Sequence, residues 1–311
     1  MGEPIEVRTK VLGSVVIVVP VLIVLVASCG WNSGANTLDV NGQTRSYRLY
    51  VPSGYRAGLS LPLVLALHQF SDTAKGMAWL TGFNPLADQE GFFVAYPQGT
   101  SRRWRLEAKE DVDFLLALID HLCTEYAIDE KRIYATGASA GGMMVQALAA
   151  RTDRLAAIAP VMGTVPQGLL EGPRPPGRLP VLLMHGTQDP ILAFGEATET
   201  VEAGPHGVLM SAPANAAWWA QHNGCEGEAE YVALPDKHPD DGTTVKRITY
   251  PCDKDREVIL YRIEGGGHTW PGHENWYPRF IVGPTSEEID ATATIWYFFK
   301  RHARQLVPAA S

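Results

Sequence analysis

Short runs of apolar residues recur along the chain and alternate with segments in which apolar residues are spaced by three and four. Continuous apolar runs are typical of strands buried on both faces of a parallel sheet. Here they are residues 63–67, 92–96, 133–136, 156–161, 181–184 and 258–263. Residues 46–51 alternate instead, which favours a strand with one covered face. Strand and helix patterns in this order predict an α/β fold, a mostly parallel sheet flanked by helices in a single domain.

Two segments show clear helical periodicity. The apolar stripe from Val112 to Tyr126 predicts one helix, with Cys123 on the stripe as a buried free thiol. A last helix is expected from Ser286 to about Ala303, because residues 285–288 (Thr-Ser-Glu-Glu) form a typical helix start before an apolar stripe. Both stripes are predicted to pack in the core.

Two further strand patterns, residues 229–234 and 244–250, are separated by a polar turn sequence and predict an antiparallel hairpin. Cys225 and Cys252 bracket this hairpin. Because a hairpin brings its outer ends together, we expect a Cys225–Cys252 disulfide in an oxidising compartment. A metal site is the poorer alternative, since no C-x-x-C pair or histidine cluster accompanies these cysteines, and no metal is expected.

Residues 137–141 (Gly-Ala-Ser-Ala-Gly) form the motif G-x-S-x-G between the strand pattern 133–136 and a helix-forming run, residues 142–148. In a nucleophile elbow, a serine sits at the tip of a tight strand-to-helix turn with strained backbone angles, and small flanking residues let the turn close. An ordinary glycine-rich turn is the alternative. The flanking strand and helix favour the elbow, which makes Ser139 the candidate nucleophile.

A serine hydroxyl is a weak nucleophile, so Ser139 needs a histidine base and an acid that orients the histidine. In enzymes with this elbow, the chain order is serine, acid, histidine, with each residue following a strand. The next strong strand pattern leads into Asp189, and the strand pattern 258–263 leads through three glycines into His268. We therefore expect Asp189 as the acid and His268 as the base.

The competing residues have other interpretations. A turn role is the alternative for Asp189, because aspartate is common in turns next to proline. His273 is the nearby competitor for the base. His185 is interpreted as a continuation of its strand, and His121 and His222 as helical residues.

An oxyanion that forms on nucleophilic attack needs two backbone N–H donors. Ala140, the residue after the nucleophile, is expected to supply one. The other is expected from the loop after the strand 63–67, where Phe70 is the first candidate and Gln69 the second. Gln69, Trp270 and Phe194 are also the candidates for contact with substrate.

Four sequence blocks lie in the order found in one known family. They are residues 95–99 (Ala-Tyr-Pro-Gln-Gly), 128–143 with the elbow, 185–190 (His-Gly-Thr-Gln-Asp-Pro) and 266–272 (Gly-Gly-His-Thr-Trp-Pro-Gly). Over about residues 44–300, the chain resembles secreted esterases of the polyhydroxybutyrate-depolymerase and feruloyl-esterase type, related to carbohydrate esterase family 1. The resemblance implies an α/β-hydrolase fold, ester hydrolysis through an acyl-enzyme and no metal or organic cofactor.

The chain departs from this family at two places. The family usually has His-Gly-Cys at the oxyanion loop, whereas this chain has His68-Gln69-Phe70. The segment after Gly99 is shorter than usual, with residues 101–104 (Ser-Arg-Arg-Trp) where the family often carries further aromatic residues.

The composition limits the partners. With 46% hydrophobic and 19% charged residues, the chain can bury a large core. The net charge of −8 comes without a basic tract, which argues against binding to nucleic acid or to anionic lipid through charge. An uncharged ester is the expected substrate.

The N-terminus predicts export. Residues 1–28 carry Arg8 and Lys10 before an uncharged apolar run, which is typical of a signal peptide. Residues 26–29 (Val-Ala-Ser-Cys) resemble the lipobox of bacterial lipoproteins, so Cys29 is expected to be acylated and to hold the protein at the outer face of the cell membrane, unless it is secreted. An uncleaved anchor is the alternative, although the apolar run is at the short limit for a membrane span.

These assignments divide the chain into four parts. Residues 1–28 are the signal, residues 29–43 a tether from the lipidated cysteine, residues 44–304 the catalytic domain and residues 305–311 a tail. The expected function is that of an extracytoplasmic serine esterase. A secreted peptidase or an acyltransferase would share the triad, and a catalytically silent binding lipoprotein would keep only the fold.

Overall fold

The computed structural model describes residues 30–31, 34–106, 109–165, 174–195, 200–202 and 207–304. The predicted signal, Cys29 and the tail therefore lie outside the described residues. Within those ranges, no helix combines the length and the apolar character that a membrane span requires.

Thirteen strands are assigned in the described part of the chain. In chain order they are β1 (Gly30–Trp31), β2 (Asn36–Val40), β3 (Gln43–Val51), β4 (Leu61–Leu67), β5 (Phe93–Pro97), β6 (Ile128–Ala138), β7 (Ala157–Val161), β8 (Val181–Gly186), β9 (Thr200–Glu202), β10 (Val208–Met210), β11 (Glu230–Ala233), β12 (Thr244–Tyr250) and β13 (Val258–Glu264). Strands β9 and β10 form a small separate sheet, and the others form one large sheet.

Seven α-helices are assigned among the same residues. They are α1 (Ala74–Thr81), α2 (Phe83–Glu90), α3 (Lys109–Glu125), α4 (Ala140–Ala149), α5 (Ala212–Asn223), α6 (Arg279–Val282) and α7 (Ala291–Phe299). Helix α3 covers the stripe predicted from Val112 up to Glu125, one residue short of Tyr126, and Cys123 on it is a half-buried free thiol.

Six neighbouring strands of the large sheet run parallel, in the order β5, β4, β6, β7, β8 and β13. Antiparallel strands extend the sheet on both sides, with β3 pairing with β5, and β12 and β11 following β13. The mostly parallel sheet predicted from the apolar runs is therefore confirmed. Its parallel strands all end at one edge, which is called the carboxyl edge below.

The apolar run of β4 explains its central place in the sheet. Leu63, Leu65 and Leu67 pack on the face that is covered by α3, α4 and α5. Val64 and Ala66 point to the other face, against α1, α2 and α7. All five side chains are fully buried, and each buried leucine stabilises the fold by about 1.5–3 kcal/mol. Because both faces of β4 are covered, its sequence is apolar throughout and does not alternate between apolar and polar residues.

The tether predicted for residues 29–43 is wrong over residues 36–43. Strand β2 pairs with β3 in a hairpin that turns at Asn41 and Gly42, both of which have a positive φ (52° and 77°). An Asn-Gly pair in this conformation is typical of a two-residue hairpin turn. The hairpin was not predicted because the segment around this pair has little apolar periodicity.

Strand β1 brings the chain into the sheet far from the carboxyl edge. Tyr47 of β3 pairs with Pro97 at the end of β5, whereas Tyr50 pairs with Val94 near its beginning. Gly30 pairs with Val51, one residue further on. Because β3 runs antiparallel to β5, Gly30 lies beside the amino ends of the parallel strands.

The last helix begins at Ala291, five residues later than predicted. Asp290 caps it, because its carboxylate accepts a hydrogen bond from Ala293 N (2.9 Å). The predicted start was wrong because its glutamate has a tertiary role: Glu288 is buried and accepts hydrogen bonds from the backbone N–H groups of Lys237 (2.6 Å) and His238 (2.9 Å). A local capping pattern cannot reveal such a contact.

The hairpin β11–β12 forms as predicted, and a disulfide joins Cys225 to Cys252 beside it. The two cysteines are 27 residues apart in sequence, with 4.4 Å between their Cα atoms. Strand β12 also pairs with β13 along its whole length, which connects the cross-linked hairpin to the parallel core.

We expect Cys225→Ser to lower the free energy of unfolding by about 3 kcal/mol, because opening a loop of this length gives conformational entropy back to the unfolded chain. Urea unfolding of the oxidised protein measures this loss. Cys123→Ser, which removes a free thiol, is the matched control and should cost less than about 1 kcal/mol. Equal stability of the two variants would contradict a structural role for the disulfide.

Candidate active site

Ser139 lies at the carboxyl edge, between β6 and α4, in a strained conformation. Its φ is 53° and its ψ is −120°, a region that costs a non-glycine residue on the order of 1–3 kcal/mol. Two backbone hydrogen bonds hold the turn: Ser139 N donates to Val161 O (2.9 Å), and Met143 N donates to Ser139 O (3.0 Å). The side chain is 6% exposed. This geometry is that of the elbow expected from the sequence.

The two glycines of the motif are required by close backbone contacts. A Cβ atom at Gly141 would lie 2.1 Å from the carbonyl oxygen of Leu67, and one at Gly137 would lie 2.5 Å from the carbonyl carbon of Gly141. Real Cβ atoms do not come this close to backbone atoms, so a side chain at Gly141 would push α4 away from β4, and one at Gly137 would push α4 away from β6. The elbow therefore sits directly against the end of β4.

Asp189 and His268 meet at the same edge of the sheet. Asp189 follows β8 and His268 follows β13, which is the parallel neighbour of β8. His268 Nδ1 lies 2.7 Å from Asp189 Oδ2, and both side chains are buried. A carboxylate only accepts, so Nδ1 carries the proton and Nε2 is left to act as a base in the neutral ring.

The Asp189 carboxylate is held ionised inside the protein. Its Oδ1 accepts hydrogen bonds from the backbone N–H groups of Ile191 and Leu192, both 2.8 Å long. Burial by itself raises the pKa of Asp189, but the charge interaction with His268 and a hydrogen bond from His185 outweigh it and hold the pKa well below its usual value. The carboxylate therefore remains an acceptor for the proton on His268 Nδ1.

His185 is the site residue that sequence reasoning missed. It lies in β8, as predicted, but its Nε2 is also 3.3 Å from Asp189 Oδ2. The signal in the sequence was a histidine four residues before the proposed acid, across a glycine-containing turn. A predicted strand followed by a loop does not reveal that the chain turns back tightly enough to bring His185 to Asp189.

The loop after β4 is fixed by His68, whose side chain is fully buried. Its Nδ1 lies 2.7 Å from Gln69 O, and its Nε2 accepts a hydrogen bond from Gly99 N (3.0 Å). Burial lowers the pKa of His68, which favours the neutral ring that this arrangement requires. One neutral tautomer satisfies both contacts, with the proton on Nδ1.

Residues 99–104 brace this loop from the side. Trp104 Nε1 donates to His68 O (2.8 Å), and its ring packs against the imidazole with 5.0 Å between centroids. Ser71 N donates to Arg102 O (2.9 Å). Ser71 and Arg102 both have a positive φ (62° and 63°), so the two loops meet through strained backbone. The short segment after Gly99 thus supports the loop next to the elbow.

The two predicted oxyanion residues lie in different segments, Ala140 directly after Ser139 and Phe70 in the loop after β4. Ala140 is the first residue of α4, where a backbone N–H has no acceptor within its own helix. Phe70 lies in the braced loop, is 39% exposed and packs under the Arg103 guanidinium, which is 4.9 Å from the ring centroid. Gln69 is buried, with its amide 3.4 Å from Asp72 Oδ2.

Trp270 does not line a substrate pocket, so that prediction is wrong. The side chain is fully buried, and its Nε1 donates to Thr292 Oγ1 (3.0 Å), because the chain turns inward after His268 and packs on α7. Phe194 is also buried, and its ring contacts His185 and the Arg262 guanidinium. His273, the competitor for the base, pairs with Asp290 (3.3 Å) rather than with Asp189.

Exposed apolar side chains follow the His268 loop. Trp276 is 62% exposed and packs on Trp79 of α1, with 4.1 Å between ring centroids. Phe280 is 87% exposed and lies on α6, whose last residue, Val282, accepts a backbone hydrogen bond from His268 N. With Tyr277 and Ile281, which are also exposed, these residues are called the aromatic strip. The strip is continuous with the loop that carries His268.

The described residues contain no group of three or more histidine, cysteine or acidic side chains placed to hold a metal ion. The carboxyl edge brings together a serine on a strained turn and a buried histidine–carboxylate pair, the residue types that nucleophilic catalysis uses. Such an arrangement suits acyl transfer.

Comparisons with known proteins point to the same chemistry. The chain is 31% identical over 277 residues to the protein of Nocardia uniformis subsp. tsuyamanensis named "Putative esterase NocK", covering 84% of this chain and 80% of that one. It is 28% identical over 230 residues to feruloyl esterase B of Piromyces equi, covering 70% of this chain but only 41% of that protein.

Family and structure comparisons confirm the predicted α/β-hydrolase fold. Residues 88–166, which include the elbow, match the prolyl oligopeptidase family. Among solved structures, the acetyl xylan esterase from Aspergillus awamori superposes with a TM-score of 0.56 at 17% identity, covering 76% of this chain and 94% of that chain. At this identity the likeness concerns the fold.

We expect Ser139→Gly to be more stable than Ser139→Ala by about 1 kcal/mol, because glycine adopts the positive φ of the elbow without steric cost. Both variants lack the hydroxyl, so the comparison isolates the backbone strain. Urea unfolding midpoints measure it. If Ser139→Ala is the more stable variant, the elbow stores no strain.

Proposed function

Because this chain belongs to the α/β-hydrolase esterases of the feruloyl esterase type, we propose that it cleaves esters with Ser139 as nucleophile, His268 as base and acid, and Asp189 as the orienting residue. The observation that carries this proposal is the 2.7 Å contact between His268 Nδ1 and Asp189 Oδ2 at the edge of the sheet where the elbow lies. It gives the histidine the tautomer that a serine nucleophile needs.

In the first half of the reaction, Ser139 Oγ attacks the ester carbonyl carbon while His268 Nε2 takes the hydroxyl proton. Asp189 stabilises the imidazolium that forms. The tetrahedral intermediate then collapses, the bond to the alcohol oxygen breaks, and His268 returns the proton to the departing alcohol. An acyl group remains on Ser139.

In the second half, a water molecule replaces the alcohol. His268 removes a proton from the water as its oxygen attacks the acyl carbon, and then gives that proton to Ser139 Oγ as the acid leaves. The free enzyme is restored. Proton transfer of this kind contributes roughly 10²–10⁴-fold to the rate.

The negative charge on the carbonyl oxygen is stabilised by the backbone N–H of Ala140 and by a donor of the 69–70 segment, for which Phe70 remains our candidate. Two observations support this assignment: α4 begins at Ala140, and the loop that carries Phe70 is anchored through His68 and Trp104. Fixed donors of this type are worth about 2.7–4 kcal/mol each in related chemistry.

The aromatic strip supports substrates that extend beyond a small acyl group. Relatives of the chain are named for feruloyl and acetylxylan ester cleavage, and exposed tryptophan and tyrosine rings offer flat apolar surfaces for a ring-containing ligand. We therefore place the glycan-linked or other bulky part of the ester on the strip, beside His268. The absence of a basic tract in the sequence agrees with an uncharged substrate.

We also propose that the enzyme works outside the cytoplasm, held there through Cys29 or released. The export pattern of residues 1–29 and the disulfide between Cys225 and Cys252 support this proposal, because structural disulfides persist in oxidising compartments.

Ser139→Ala is expected to lower kcat/KM for p-nitrophenyl acetate by at least about 10³-fold, since no other group supplies the nucleophile. Steady-state rates and a fluorophosphonate titration of active sites measure this. Ser60→Ala, an exposed serine before β4, is the matched control and should keep full activity. Undiminished turnover of Ser139→Ala would overturn the mechanism.

Trp276→Ala is expected to raise KM for a feruloylated xylo-oligosaccharide by about tenfold, the loss of one well-packed aromatic contact, and to leave kcat/KM for p-nitrophenyl acetate within about twofold. Kinetics with both substrates decide the point. Tyr231→Ala, which removes an exposed aromatic ring on β11, is the control and should change neither. An equal loss on both substrates would mean that Trp276 acts through the structure of the site.

A further inference from the structure

His185 lies behind the proposed acid in a position that the mechanism above does not use. Its side chain is 2% exposed, and its Nε2 faces two oxygen atoms, Leu192 O at 2.8 Å and Asp189 Oδ2 at 3.3 Å. A carbonyl oxygen and a carboxylate only accept, so Nε2 carries a proton in either ionisation state of the ring. His185 therefore donates into the back of the Asp189 carboxylate.

We propose that His185 is a positioning residue for the proposed triad: its Nε2–H holds the Asp189 carboxylate in the plane in which Oδ2 reaches His268. This inference rests on the proposed function, since it assigns a task to a residue that acts through Asp189. His185 touches neither Ser139 nor the reacting atoms in this role.

The hydrogen bonds around the carboxylate explain why a further donor is needed. Oδ1 is fixed by two backbone donors, Ile191 N and Leu192 N. Oδ2 accepts from His268, and in the proposed mechanism that ring changes its protonation state during each turnover. A donor from the rigid strand β8 gives Oδ2 an anchor that does not move when His268 does.

The same side chain closes the turn that carries Asp189. The side-chain Nε2–H of His185 donates to Leu192 O and so joins the two ends of the segment 185–192. Leu192 N donates to the Asp189 carboxylate, which lies between these ends. The segment is thus a closed ring of hydrogen bonds with Asp189 at its centre. Loss of the imidazole would open the ring at two points.

The surroundings of His185 leave few other groups that could take over its task. Its ring meets Phe194 edge to face, with 5.9 Å between centroids, and the Arg262 guanidinium also packs over Phe194, 4.9 Å from the ring centroid. Arg262 pairs with Glu264 (2.9 Å) on β13. His268, Arg262 and Glu264 are thus the titratable groups that approach from β13 and its following loop.

The test compares His185→Leu, which removes the donor at similar volume, with His185→Gln, whose amide nitrogen can reach the position of Nε2. We expect His185→Leu to lower kcat for p-nitrophenyl acetate by about tenfold per titrated active site, with KM within about twofold. His185→Gln should retain kcat within about threefold. Thermal unfolding of each variant separates loss of fold from loss of rate.

A spectroscopic measurement tests the positioning role without relying on Ser139. The proton shared between His268 Nδ1 and Asp189 Oδ2 gives a far-downfield resonance in proton NMR spectra, which we expect to move upfield or broaden in His185→Leu and to persist in His185→Gln. The resonance reports the Asp189–His268 geometry even if Ser139 is not the nucleophile. The effect of His185→Leu on this resonance can therefore be measured whether or not Ser139→Ala loses activity.

His302→Leu is the matched control, because His302 is a buried histidine that contacts a carboxylate, Glu257 (2.9 Å), after α7. It should leave the resonance and kcat per active site unchanged. An unchanged resonance and kcat in folded His185→Leu would overturn the proposal. Equal loss in His185→Leu and His185→Gln would assign His185 a packing role only and would also overturn it.

Discussion

The close contact between α4 and the end of β4 is the constraint on which the candidate site depends. The elbow can lie against the carbonyl oxygen of Leu67 only because Gly141 has no side chain. The contact extends to the carbonyl oxygen of His68, so the start of α4 lies against the beginning of the loop that follows β4. Ser139 and Ala140, the proposed nucleophile and oxyanion donor, directly precede Gly141 and are positioned by the same backbone contact.

The loops that carry the proposed acid and the proposed base are also joined by backbone hydrogen bonds. Gln188 N donates to Gly266 O (2.9 Å), and Thr187 N donates to Ile263 O (2.9 Å). The backbones after β8 and β13 are therefore already paired at the residues that precede Asp189 and His268. A buried carboxylate is costly unless it is fully hydrogen-bonded. Here two backbone donors of the Asp189 turn and the His268 ring offset that cost, which lets the carboxylate stay ionised although it is buried.

The parts of the fold that could be predicted from the sequence are those in which each residue's local pattern matches the role that it has in the folded protein. Buried strands read as apolar runs, and the elbow, the hairpin and its cysteines carry their own local signals. The start of the last helix was missed because Glu288 is used by a distant loop, and the buried position of Trp270 was missed because an aromatic residue beside a histidine suits a pocket as well as a core. The contact between His185 and Asp189 depends on how tightly the turn between these two residues closes, and the types of residue in the turn do not determine this.

The place where the chain joins the sheet has a consequence for access to the site. Gly30 pairs at the amino ends of the parallel strands, and Ser139 lies beyond their carboxyl ends. The chain therefore enters the domain at Gly30, on the side opposite Ser139. For a protein held at a membrane through Cys29, as we propose, a large substrate would reach Ser139 from the side that faces away from the attachment.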